Sequence, residues 1–159
     1  MTLEETVLQK LASRPPHTSG RQTIGICDDA TGWLVSLSVD RGDELSCALW
    51  EMSQSSPRPP SESGIDLKGW SEKVVGQVRG LLEPLAVIEI DAQRNEALLR
   101  SNQPTARETD RYYYEVLVKG GGHALVRRYR GSTEAGRRTQ VPFTLTHEAI
   151  AKLAADLTF

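Results

Sequence analysis

Apolar residues along this chain fall into two periods. Three stretches step by three or four residues, and most of the remainder alternates apolar with polar. Leu67, Trp70, Val74, Val78, Leu81 and Leu82 lie on one helical face, with Asp66 placed as an N-cap and Pro84 as the stop. Gly76 and Gly80 share one side of that helix, which predicts a neighbouring backbone packed closely there. Leu85 to Ile90 has the apolar density of a central strand, buried on both faces apart from Glu89. Residues 91–96 turn the chain and Ala97 to Ser101 returns as a strand.

The flanking stretches follow the same rules. Thr2 and Glu5 form a capping box ahead of Leu3, Val7, Leu8 and Leu11, which predicts a helix over 3–13 ended by Pro15 and Pro16. Thr23–Cys27, Trp33–Val39 and Leu45–Glu51 read as three strands of an antiparallel meander with one buried face. The turns between them are Asp28–Gly32 and Asp40–Asp43. Residues 53–64, rich in Ser and Pro, read as a flexible linker with nothing to bury. Its PxxP spacing is the ordinary spacing of connector prolines.

Arg111–Lys119 and His123–Arg130 read as a hairpin closed by Gly120, Gly121 and Gly122. If Lys119 pairs with His123, Glu115 faces Arg127 and Tyr113 faces Tyr129, both favourable cross-strand pairs. Residues 131–138 read as a mobile loop. Thr139–Leu145 is extended, and Pro142 predicts an edge piece. Thr146 caps a last helix with Ile150, Leu153, Ala154 and Leu157 on its buried stripe.

Together these elements predict an α+β fold in one domain over residues 1–159. An antiparallel sheet of about six to seven strands carries two or three helices on one face, in the order α-βββ-α-ββββ-α. The 53–64 linker joins two α-β halves. In element order alone, with no shared motif, the chain resembles the small α+β chaperones of bacterial secretion systems.

Charge sharpens the picture. Residues 1–99 hold 9 Lys/Arg against 15 Asp/Glu, whereas residues 100–140 hold 9 against 4. The net charge of −2 favours no polyanion overall, yet the later strands could draw an acidic partner. Cys27 and Cys47, too few for a disulfide framework, read as small buried residues. The acidic, periodic start is unlike a signal peptide, and no apolar run reaches the length of a membrane helix. The expected setting is the cytoplasm, with no membrane association.

Catalytic chemistry has little support. His17 lies beside prolines, His147 opens a helix and His123 follows three glycines. No zinc-ligand spacing or phosphate-binding glycine motif occurs, so no metal and no cofactor are expected. The acidic turns at Asp28, Asp29, Asp40, Asp43 and Glu44 are not expected to converge, and the Arg41-Gly42-Asp43 tripeptide reads as a hairpin turn. The constellation that stands out is Tyr112, Tyr113, Tyr114, Arg127, Arg128, Tyr129, Arg130, Arg137 and Arg138. Tyr and Arg are enriched at protein interfaces, which makes Tyr113, Arg127, Arg128, Tyr129, Arg130, Arg137 and Arg138 the expected partner-binding set. The expectation is a non-enzymatic, chaperone-like protein-interaction domain with a protein partner and a homodimeric state. The alternatives are weak nucleic-acid binding by the same basic strands and an enzyme of unrecognised type.

Overall fold

A computed structural model describes residues 1–17, 20–132 and 136–159. Among the described residues the chain forms three α-helices and a ten-stranded antiparallel sheet. Helix α1 (Leu3–Ala12) precedes β1 (Gln22–Cys27), β2 (Leu34–Gly42) and β3 (Ser46–Ser55). A 3-10 turn at Pro60–Ser63 leads to α2 (Leu67–Gln77). Then come β4 (Leu85–Asp91), β5 (Glu96–Ser101), β6 (Thr105–Arg107), β7 (Asp110–Lys119), β8 (His123–Ser132), β9 (Arg138–Val141), β10 (Phe143–Thr146) and α3 (His147–Asp156). The sheet runs β1-β2-β3-β8-β7-β5-β4, with β10 on β3, β9 on β8 and β6 on β7. The α+β class and rough element order match the expectation. The strand number exceeds it because residues 105–107 and 138–146 supply three short strands.

Strand register converts alternation into two faces. The row Ile26, Val35, Gln54, Ala124, Val118 and Ala97 crosses six strands and is buried throughout. So is the next row on that face, Ile24, Leu37, Met52, Val126, Val116 and Leu99. The helices cover these rows. Gln54, polar in an apolar row, donates from Nε2 to the Ala154 carbonyl at 2.9 Å and so holds α3 to β3. Fully buried Trp70 of α2 donates from Nε1 to the Leu157 carbonyl at 3.1 Å and packs edge-on against Phe159. The capping box on α1 is complete, and the Thr146 hydroxyl accepts from the Ala149 amide at the start of α3.

One fork organises the sheet. Strands β3 and β8 pair from Ser55↔His123 to Met52↔Val126 and then part. Strand β9 fills the gap on the β8 side and β10 on the β3 side. Pro142, which has no N–H to donate, sits where the chain changes partner. Among the described residues the stretch 139–145 lies in this fork, each of its strands paired on one side only, as expected of an edge piece. Gln140 Nε2 donates to the Trp50 carbonyl at 2.7 Å across the opening.

Other expectations are corrected. Residues 53–55, read as the start of a linker, complete β3, and Pro60 is buried in the 3-10 turn. Helix α2 ends at Gln77 because Val78 is extended, and Leu82 is 75% exposed. Strand β4 is an edge strand instead of a central one. Cys47 is buried but Cys27 is exposed. The Cys27 thiol pKa is raised by local desolvation and by Asp29 and Asp28, which disfavours the thiolate. The loop expected over 131–138 gives up Gly131 and Ser132 to β8 and Arg138 to β9, and its residues 133–135 lie outside the described residues.

Gly76 meets no atom within 4 Å of a built Cβ and Gly80 likewise, so neither marks a close backbone approach. Gly76 thus costs the helix conformational entropy with no packing gain. Gly76→Ala should raise unfolding stability by about 0.5–1 kcal/mol in a denaturant titration.

Candidate functional site

The β7–β8 hairpin carries most of the residues singled out in the sequence. Its tip uses Gly122 at φ +101, where a Cβ would lie 2.8 Å from the Arg58 carbonyl oxygen. The register is Lys119↔His123, Glu115↔Arg127 and Tyr113↔Tyr129, as the charge pattern predicts. Side chains alternate from there. Tyr113, Glu115, Leu117, Leu125, Arg127 and Tyr129 face away from the helices, whereas Tyr112, Tyr114, Arg128 and Arg130 point to the other side.

The face away from the helices has a built chemistry. Leu98, Leu117 and Leu125 form a half-buried cross-strand row and floor a depression of about 170 Å³. Beside it runs a row of alternating charge, Glu51, Arg127, Glu115 and Arg100. Arg127 donates to Glu51 through Nε at 2.9 Å and Nη2 at 2.8 Å. Arg100 grips Glu115 Oε1 through Nε at 3.1 Å and Nη2 at 2.7 Å. Arg138 reaches from β9 across β8, lies 3.9 Å from the Tyr129 ring centroid, and donates to the same Glu115 oxygen at 2.5 Å. Partial burial opposes the charge on Arg127 and Arg138, but hydrogen bonds to Glu51 and Tyr129 in one case and to Tyr113 and Glu115 in the other hold both pKa values above the ordinary arginine value. Tyr113 and Tyr129 complete the surface with ring centroids 6.0 Å apart.

Of the seven expected partner-binding residues, the structure brings four together here: Tyr113, Arg127, Tyr129 and Arg138. Arg130 is exposed on the opposite side, and Arg137 is exposed just ahead of β9. Arg128 is buried and is no surface residue at all. Its two terminal nitrogens bind both oxygens of Glu83 at 3.0 and 3.1 Å. The Ser101 and Thr105 hydroxyls each donate to Glu83 at 2.8 Å, Ser101 Oγ also accepts from the Tyr114 amide, and the Tyr114 ring lies 4.2 Å below the guanidinium. Burial would raise the Glu83 pKa, but the bonds from Arg128, Ser101 and Thr105 and the charge of Arg128 bring it below the usual carboxylate value.

Sequence reasoning missed Arg100, Glu51 and the three leucines of the face. The hairpin register, extended to period-two alternation, would have separated Arg127 and Tyr129 from Arg128 and Arg130. Nothing local could have joined Arg100 or Glu51 to the group, since both come from other strands.

His123, at the hairpin tip, has a buried Nδ1 without a partner among the described residues. Its pKa is lowered by burial and by the Lys119 charge, against a smaller opposite pull from Glu51. A hollow of about 470 Å³ lies at the other end of the meander, lined in part by His17, Arg41, Asp43 and Thr144. Its polar groups serve the turn. His17 bridges Gly42 by two backbone bonds, and Asp43 Oδ1 accepts from the Leu45 and Ser46 amides. Arg41 and Gly42 end β2 and Asp43 opens the turn to β3, so the turn lies at 43–45, where Asp40–Asp43 was expected. Compared with protein-family models, curated proteins and solved structures, the chain matches none.

Removing the Glu83 charge leaves the Arg128 charge buried and unpaired. Glu83→Gln should cost about 3–5 kcal/mol near neutral pH. Because the folded pKa of Glu83 lies below its unfolded value, its contribution is complete above the ordinary carboxylate range and is lost as pH falls through the folded value. The gap between wild type and Glu83→Gln in denaturant titrations should therefore narrow in acid. A gap independent of pH would refute the assignment.

Proposed function

We propose that this protein is a non-enzymatic interaction domain that binds a protein partner through the sheet face opposite its helices. The observation that carries this reading is the leucine row Leu98, Leu117 and Leu125, half-buried and bordered by Tyr113, Tyr129 and paired arginines. An apolar centre within a polar rim rich in Tyr and Arg is the usual make-up of a protein–protein interface. The order-of-elements likeness to secretion chaperones supplies no residue of this face and adds nothing to the reading.

Nucleic-acid binding is the weaker alternative. Arg100, Arg127 and Arg138 share the face with Glu51 and Glu115, and each is already in an ion pair. A phosphate would have to displace an internal carboxylate, which removes much of the gain from counterion release.

Quantitative affinity capture with the full chain tests the proposal. Leu117→Lys and Arg138→Glu, each checked for folding by circular dichroism, should reduce recovery of a wild-type partner by about tenfold or more. Lys68→Ala, on the exposed side of α2, should leave recovery unchanged. A partner retained by both face variants would overturn the assignment. Retarded migration of a nucleic acid, abolished by Arg138→Glu and by modest salt, would favour the alternative.

A further inference from the structure

We propose that β4 pairs edge to edge with β4 of a second copy of this chain, antiparallel, so that two sheets become one. This inference uses a different surface from the open face and does not depend on it.

The two edges of the sheet are built differently. Strand β1 has the composition of an edge exposed to water: Ile24 and Ile26 point to the core, while Thr23, Gly25 and Cys27 point outward. Strand β4 has the composition of an interior strand, Leu-Ala-Val-Ile-Glu-Ile, yet among the described residues it hydrogen-bonds β5 and no other strand. As a result Ile88 is 51% exposed and Ile90 40% exposed. An apolar edge with an unpaired row of backbone groups is a template for another strand. This strand needs a second neighbour that the described chain does not supply, and every other copy carries an identical one.

Charge selects the arrangement. Both acids of β4, Glu89 and Asp91, lie in its second half, and its first half, Leu85 to Val87, is apolar. Parallel pairing would set acid against acid. Antiparallel pairing that keeps each residue on its own face across the bulge sets Val87 against Ile90 and Ala86 against Asp91, so no like charges oppose there. The register of β4 with β5 skips Ile88, a bulge that re-aims this side chain out of the regular pleat. In the pair, the two Ile88 side chains then lie beside the axis. An antiparallel pair of identical strands is related by a two-fold axis perpendicular to the sheet. The contact is isologous and closes at two copies, whereas β4 against β1 of another copy would polymerise. Both helical layers then lie on one side, and both open faces form one continuous surface.

Sedimentation equilibrium of the full chain at rising concentration tests this. Wild type should move from 17.5 kDa toward twice that mass. Ile88→Lys/Ile90→Lys should raise the dissociation constant by about tenfold or more. Leu117→Lys, on the open face, should dimerise as wild type does. Amide exchange across residues 85–91 of unaltered protein should slow with concentration, which keeps the test informative should the double variant fold poorly. A wild type that stays at 17.5 kDa throughout, association insensitive to the β4 variant, or growth beyond two copies would each overturn the proposal.

Discussion

Arg128 and Glu83 form a guanidinium–carboxylate pair with almost no access to water, and much of the second half of the chain is arranged to satisfy it. Isolated, either charge would be too costly to bury. Together they are tolerated because Ser101, Thr105 and the Tyr114 ring occupy the remaining positions around them. Those groups come from β5, β6 and β7, Arg128 comes from β8, and Glu83 comes from the irregular segment between α2 and β4. One polar knot thereby fixes where that segment turns inward and where β4 begins. Pairing of β6 with β7 holds Thr105 within reach of Glu83. Replacement of such a pair by apolar residues can be neutral in other proteins, so its value here is positional: a carboxylate on an irregular segment can satisfy Arg128 in one place.

Arg128 lies just past the point where β8 leaves β3, opposite Val141 of the inserted strand. The fork gives the open face its form. Because β9 lies beside β8, Arg138 can extend over Tyr129 to Glu115 and tie three strands together above the sheet. Glu51, at the mouth of the fork, takes Arg127. Four of the eight arginines in residues 100–140, Arg100, Arg127, Arg128 and Arg138, are held by carboxylates, so on the open face the positive charge is paired. On that face the half-buried leucine row lies beside these paired charges, and the proposal of a protein partner rests on it.

The face and the β4 edge belong to one sheet, and their geometry links them. The helices cover one side, so any neighbour that extends the sheet at β4 also extends the uncovered side. The proposed binding through the face and the proposed assembly through the edge use adjoining parts of one sheet, and the second would present the first twice.

Much of the fold was legible in the sequence where the determinants are local. The capping Thr2, Asp66 and Thr146, the hairpin register of β7 and β8, and the alternation of β2 were all readable, because each depends on residues within a few positions or on pairing across a short turn. The candidate site was half legible: Tyr113, Arg127, Tyr129 and Arg138 do share a face. Three features were decided by tertiary structure. Arg128 is internal because Glu83, 45 residues away, meets it there. Leu85–Ile90 reads as central but lies at the edge, because apolar density reports burial appetite and not the number of neighbours. Among the described residues, 139–145 keep one unpaired side, as Pro142 predicts, but their place in the fork depends on where two other strands diverge. Sequence determined the periods, caps and turns, which arise from each residue's own backbone and side-chain preferences. The structure alone decided which strands are neighbours, and with that which charges are cancelled and which surface is left to bind.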